Sequence, residues 1–246
     1  MHSELQVPTH SIDPVARHGV ADDTGSSEST ATPVGRPSPP KRPRLDPLER
    51  AAVAIVATAA VGFGAGGFAT GASSVLVYLG SVAVIGVVIM RARRAPLPGW
   101  LAIGLAVQAT ANLAGGLVHR GSGVLYNAAI GPYSRTLHTH VLQYDHPVHA
   151  FGCFVAAMTL WELLTPPGER RSRDNGLVLL CALGGLGIGA INETLEFMAT
   201  LAHHGAGVGG YDNTGWDLVS NVVGVAFAAR VIQRTRRAAA PLATNP

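Results

Sequence analysis

Five acidic residues sit where a mostly apolar chain has little use for charge. Asp145, Glu193, Glu196, Asp212 and Asp217 fall in or beside long apolar stretches, with His146, His149, His203 and His204 close by. A carboxylate placed inside a membrane costs about 2.5–3.5 kcal/mol on insertion scales, so each one needs a partner or a task. Two kinds of chemistry use such groups. Neighbouring carboxylates whose pKa values are pushed apart can serve as acid and base. Hard oxygens mixed with imidazole nitrogens suit Zn, Mn or non-haem Fe.

Three pieces of sequence carry these groups. In the first, Tyr144-Asp145-His146-Pro147-Val148-His149, Asp145 and His149 share a face if one helix includes both. Pro147 is tolerated in a first helical turn, and Asp145 is also of the type that caps a helix N-terminus. The second piece is Asn192-Glu193-Thr194-Leu195-Glu196. Its two glutamates project from one face, and Glu193 is expected about five residues from a helix end, roughly 8 Å deep. The third runs from Tyr211 through Asp212 to Trp216-Asp217, then Asn221. Asp217 has a plain structural explanation, since the helix dipole favours acids near an N-terminus. Asn221 lies deeper and is expected in an internal hydrogen-bond network. The candidate acid–base groups are Glu193, Glu196, Asp145 and Asp217. The candidate metal ligands are His149, Glu193, Glu196 and Asp217, for a divalent ion such as Zn, Mn or Fe. Metal sites in helix bundles use inward carboxylates with Glu-x-x-His pairs. Here the pair is Glu-x-x-Glu and no His-Glu-x-x-His motif is present, so the match is partial. His119, His138 and His140 belong to the same face, while His203 and His204 read as solvated loop residues.

The elements that must position these groups follow from composition. The chain has 246 residues, 48% hydrophobic and 13% charged, with a mean hydropathy of +0.28. Soluble domains carry about twice that charge, so an all-α polytopic membrane bundle is expected. Apolar segments near 51–70, 74–90, 98–118, 147–165, 176–198 and 216–233 each approach the roughly 17–25 residues a spanning helix needs. That gives about six transmembrane helices, with Trp100, Trp161 and Trp216 at their ends as interfacial aromatics. The net charge of +3 and pI near 9.2 do not signal nucleic acid. The basic residues cluster at segment ends: Lys41, Arg42, Arg44 and Arg50, then Arg91, Arg93 and Arg94, then Arg170, Arg171 and Arg173, then Arg234, Arg236 and Arg237. The opposite loops hold Arg120 and Arg135. The positive-inside rule then places both termini in the cytoplasm and every candidate group at the outer face of a cell membrane.

The domain reading is a disordered cytoplasmic tail at 1–50, a six-helix domain at 51–235 and a short tail at 236–246. Residues 1–50 lack apolar periodicity and are rich in Pro, Ser, Thr and Gly, a composition that cannot offset its ordering entropy. Cys153 and Cys181 read as small buried apolar residues. Gly185 and Gly189 have the spacing that lets membrane helices approach closely. The loop at 119–146 is long enough to be functional and is expected to pack on helix ends or dip into the membrane.

The run from Tyr144 to Phe151, the Glu193-x-x-Glu196 pair and the Gly-rich loop leading into Trp216-Asp217 resemble the YjdF-like family of bacterial multi-pass inner-membrane proteins, a domain of unknown function. The resemblance covers roughly residues 50–235. It implies a membrane fold and a shared polar site at Tyr144, Asp145, His149, Glu193, Glu196 and Asp217, and it implies no activity. Two departures stand out: Ala150 separates His149 from Phe151, and Asp212 is displaced from the family's first aspartate.

The function these readings favour is a metal-dependent membrane enzyme with an exterior-facing site, acting on a lipid or envelope precursor. The alternatives are a structural or assembly protein whose polar network fixes helix packing, and a proton-coupled transporter. Carriers place their sites near the midplane and show repeats, and no repeat is evident here.

Overall fold

The computed structural model describes residues 45–69, 75–76, 78–80, 82–83, 97–121, 123–134, 139–140, 142–165, 175–202 and 210–238. The N-terminal tail up to residue 44, most of the second apolar segment, the basic clusters at 41–44, 91–94 and 170–173, and His138, His203 and His204 lie outside them. Among the described residues are five long helices: α1 (Pro47–Ala69), α2 (Gly99–Leu117), α3 (Asp145–Leu164), α4 (Asn175–Ala202) and α5 (Tyr211–Ala238). They correspond to the first, third, fourth, fifth and sixth apolar segments. All five are long and apolar enough to cross a membrane.

Helix α1 starts ahead of the apolar run because of a local signal. The Asp46 side chain accepts from the Glu49 backbone N–H at 2.7 Å, and the Glu49 carboxylate accepts from the Asp46 N–H at 3.0 Å. That is a reciprocal capping box, with Pro47 at the first helical position where its missing N–H does no harm. Hydropathy alone does not register such a cap. Helix α4 likewise continues past the end of its apolar segment to Ala202.

Helices α3, α4 and α5 pack on one another, while α1 pairs with α2 and α2 joins the trio through α3. The core of the trio is apolar: Val155, Ala157, Met158 and Trp161 from α3, Val178 and Cys181 from α4, and Val225, Ala228 and Ile232 from α5. Outward faces are apolar too, with Leu179, Leu183, Ile191 and Phe197 of α4 and Val223 and Phe227 of α5 exposed. Lipid is as apolar as those side chains, so association of such helices rests on close packing and interhelical hydrogen bonds. Trp161 departs from the interfacial role expected of it. It is buried in the core with the Arg236 guanidinium 5.9 Å from its ring centre.

Glycines allow the close approach. Gly224 of α5 lies directly against the Ala150 carbonyl of α3, where any Cβ would overlap the oxygen. At Gly185 a Cβ would lie 2.9 Å from Val225 Cγ1 and 3.0 Å from Ala157 Cβ. The expected role of Gly185 is therefore the one it plays.

The loop between α2 and α3 folds into two small antiparallel hairpins, β1 (His119–Arg120) with β2 (Gly123–Val124) and β3 (Tyr133–Ser134) with β4 (Thr139–His140). A 3-10 turn at Leu125–Asn127 docks on α2. Its Tyr126 ring rests on Gly115, and its hydroxyl donates to the Asn112 side-chain and backbone oxygens. The Tyr144 N–H donates to the Ala128 carbonyl at 2.9 Å, tying the end of the loop to the start of α3. The loop thus packs over a helix end.

Because Gly224 meets backbone, its neighbour cannot give way. We expect Gly224→Val to destabilise the bundle by about 1–3 kcal/mol, the usual range for overpacking, and to lower the melting temperature in detergent by several degrees. Gly187→Val, at a position with nothing within 4 Å, should melt like the parent protein.

Candidate functional site

The start of α3, the second half of α4 and the start of α5 meet at one end of the trio. His149 stands at the centre. Its Nε2 is 3.2 Å from Asp145 Oδ1, 3.8 Å from Glu196 Oε1 and 4.0 Å from Asp217 Oδ1, while its Nδ1 is 3.1 Å from Glu193 Oε1. One ligand atom each from His149, Glu193, Glu196 and Asp217 fits within 4.8 Å of the others. The groups named from sequence as acid–base or ligand candidates therefore all converge, from three helices.

Local structure explains each position. Helix α3 opens at Asp145, and no side chain caps it. The capping alternative for Asp145 is not realised, because its carboxylate is spent on His149 one turn on and on Asn213 of α5. Glu193 is nine residues short of the α4 end at Ala202, so it lies about 13 Å along the helix at 1.5 Å per residue. The distance to the helix end exceeds the roughly 8 Å expected, because α4 runs on beyond its apolar segment, whose candidate span ends at Met198. Asp217 falls in the second turn of α5 and is fully buried.

Two asparagines absent from the candidate list hold the acids. Asn213 Nδ2 donates to Asp217 Oδ2 at 2.5 Å and to Asp145 Oδ2 at 3.2 Å, bridging α5 and α3. Asn192 Nδ2 donates to Glu196 Oε1 at 2.7 Å, one turn away on α4. The spacing of Asn213 from Asp217 was the signal that could have found the first. The remaining oxygens stay unsatisfied: Asp145 Oδ1, Asp217 Oδ1 and both oxygens of Glu193 are buried without a hydrogen-bond partner. Their approach to the imidazole is at ion-pair distance but off hydrogen-bond alignment.

A second tier lies one turn deeper. Cys153 follows His149 by four residues, Asn221 follows Asp217 by four, and Gly189 precedes Glu193 by four. The Cys153 thiol donates to Asn221 Oδ1 at 3.0 Å. A Cβ at Gly189 would lie 2.6 Å from Asn221 Nδ2 and 2.7 Å from Cys153 Sγ. Asn221 thus joins the network expected of it. The tier below is Ala157, Gly185 and Val225, which is apolar.

Tyrosines stand beside the cluster. Tyr126 lies between Tyr78 and Tyr144, with ring centres 6.1 and 6.3 Å apart. Burial, and then the nearby Tyr78, Asp145 and Glu196, push the Tyr126 phenol well above its ordinary pKa, so it stays a neutral donor. In the sequence Tyr126 is one residue of the long loop at 119–146. Its place became legible once Gly115 was seen to open a seat for the ring.

Other expected neighbours stand apart. His146 turns back to the loop, its Nδ1 accepting from the Gln143 N–H at 3.2 Å and its ring 6.2 Å from that of Trp216. Asp212 is exposed in the first turn of α5. His119 is exposed on β1, and His140 is described only as part of β4.

The electrostatics are lopsided. Four carboxylates surround one imidazole, and among the described residues no lysine or arginine pairs with any of them. Like charges this close disfavour full ionisation, so protons or a cation must complete the cluster. The donor set, with orphaned buried oxygens aimed inward, fits a hard divalent ion.

Comparison with known proteins gives this fold a family and no activity. The family described as predicted membrane protein (DUF2238) matches residues 50–238, and the chain belongs to it. The YjdF-like resemblance is this same family. No curated protein matches the chain. No solved structure matches it either. The chain is an all-α protein of the membrane, embedded in a lipid bilayer.

Asn213 gives a test of the geometry. Asn213→Leu removes the donor shared by two buried aspartates, and an orphaned buried acceptor costs about 1–3 kcal/mol. We expect a lower melting temperature in detergent for Asn213→Leu and no change for Asp212→Asn, whose side chain is exposed in the first turn of α5.

Proposed function

We propose that this DUF2238 member is a metal-dependent membrane enzyme whose site opens to the exterior of the cell membrane and acts on a lipid or envelope precursor. The observation that carries the reading is the convergence of His149, Glu193, Glu196 and Asp217 to within 4.8 Å, with buried oxygens that nothing else satisfies. A divalent cation held within that cluster would supply Lewis acidity. The chain's own groups would do the rest. Glu196, the most exposed of the four acids at 19%, is the one placed to meet a bound substrate.

Support for a lipid-borne substrate comes from what flanks Glu196. Leu195 and Phe197 on either side are 53% and 60% exposed on the outward face of α4. The site therefore borders the surface that faces acyl chains. Support for the exterior side comes from charge: Arg234, Arg236 and Arg237 occupy the end of α5 remote from the site, as the cytoplasmic end should. Among the described residues the column below His149 turns apolar after Cys153, Gly189 and Asn221, at Ala157, Gly185 and Val225, which favours a one-sided site over a carrier pathway.

The test is the metal content of purified, detergent-solubilised protein by elemental mass spectrometry. We expect near-stoichiometric Zn, Mn or Fe in the parent and loss of it in a Glu196→Gln/Asp217→Asn variant that still elutes as folded protein. No metal in the parent, even after each ion is added back, would refute the reading and leave a packing network as the working description.

A further inference from the structure

The two nitrogens of His149 face different surroundings. Three carboxylates from three helices gather on the Nε2 side: Asp145 at 3.2 Å, Glu196 at 3.8 Å and Asp217 at 4.0 Å. On the Nδ1 side there is one, Glu193 at 3.1 Å. A neutral imidazole carries one N–H and one lone pair. Facing a carboxylate with a lone pair is repulsive, so each side needs a proton or a cation between nitrogen and oxygen; with a proton on one nitrogen, a metal ion can occupy the other side.

Resting on the metal reading, we infer that Nε2 is the metal-binding nitrogen of His149, while Nδ1 keeps its proton and donates it to Glu193. Glu193 is then a positioning residue that acts through the imidazole, and the ion is held by His149 with Glu196, Asp217 and Asp145, the last taking the place of Glu193 in the group that converges within 4.8 Å.

Three observations support this division. Donors sharing one ion stand roughly 3–3.5 Å apart for bonds of about 2.1 Å; Asp145 at 3.2 Å from Nε2 is already in that range, while Glu196 at 3.8 Å and Asp217 at 4.0 Å must close in on the ion. Asn213 holds the Oδ2 atoms of Asp145 and Asp217 together, which leaves the Oδ1 atoms, both unsatisfied, to face Nε2. Glu193 at 3.1 Å is within hydrogen-bond reach of Nδ1, so a small turn of the ring aligns the bond. A metal-bound histidine ordinarily donates its other N–H to such a carboxylate, which fixes tautomer and orientation.

The consequence is a graded response at one position. Glutamine at 193 keeps an oxygen that can accept from Nδ1–H, whereas leucine does not. The experiment titrates the full-length protein in detergent with Co²⁺ and reads the visible absorption of the bound ion, alongside Glu193→Gln, Glu193→Leu and Asp217→Asn. Size-exclusion profiles and melting curves confirm which variants fold. For Glu193→Gln we expect a Co²⁺ spectrum unchanged from the parent and an affinity lowered by about tenfold or less. For Glu193→Leu, affinity should fall toward the 100-fold end of the range for lost supporting partners, again with the parent spectrum at saturation. Asp217→Asn should shift the spectrum. The inference is overturned if Glu193→Gln shifts the bands as Asp217→Asn does, since Glu193 would then be a ligand. A parent protein that binds neither Co²⁺ nor Zn²⁺ would overturn the metal reading itself, an outcome separate from the first. Should Glu193→Leu fail to fold, the Gln variant alone decides.

Discussion

Four buried or half-buried carboxylates share one imidazole, and much of the rest of this bundle can be understood from that arrangement. In a low-dielectric interior an unpaired charge is expensive and a paired one only less so. Here the partner is a single ring that offers one positive charge at most. Neutral donors make up part of the difference: Asn213 serves two aspartates and Asn192 serves one glutamate. Several oxygens remain without partners. A bundle evolved only to pack would gain by replacing such a cluster with apolar residues, since lipid-facing and core positions around it are already apolar.

Bringing these groups together constrains the helices before it constrains any chemistry. Side chains from α3, α4 and α5 can come within 4.8 Å only if the three backbones run close. Gly189 and Gly185 provide that closeness on α4 and Gly224 on α5, each under or beside a tier of the polar column. Repeats of four residues keep every tier in step: Asp145, His149, Cys153 and Ala157 descend one face of α3, and Asn213, Asp217, Asn221 and Val225 descend one face of α5. The same periodicity that places residues three or four apart on one face therefore sets both the site and the packing below it. Apolar contact between helices gains little in lipid, so close backbone approach and the polar links between tiers carry much of the specificity.

The sequence made the fold and the cluster legible for a common reason. Charge is so scarce in apolar segments that each exception is conspicuous, and Asp145, His149, Glu193, Glu196 and Asp217 were all visible as exceptions. Residues that act through geometry alone were not. Asn213 is an ordinary polar residue in a loop-like stretch until α5 is seen to begin at Tyr211. Tyr126 is one aromatic in a long loop until Gly115 is seen to seat it. Asp145 carried two meanings that sequence could not separate, a helix cap or a partner of His149, because both need a carboxylate at the start of a helix. Trp161 was read from its place near a helix end, which says how deep a residue lies and nothing about which way it faces. The ring turns inward to the core.

The one-sidedness of the polar column bears on what kind of protein this is. A pathway across the membrane requires exchangeable polar groups at successive depths. Among the described residues the column at His149 occupies two tiers, and the next, of Ala157, Gly185 and Val225, interrupts it. At the other end of the site, the loop between α2 and α3 packs on α2 and ties into the start of α3, while the edge of the cluster at Glu196 borders exposed Leu195 and Phe197. A site whose edge borders exposed apolar side chains is consistent with the proposed reactant, one that arrives within the bilayer and presents a polar head at shallow depth. It does not suit a solute that must pass through. Site charge sharpens the argument: carboxylates in excess would repel an anionic head unless a cation stood between them, so a lipid-borne anion and a bound metal would each make the presence of the other more favourable.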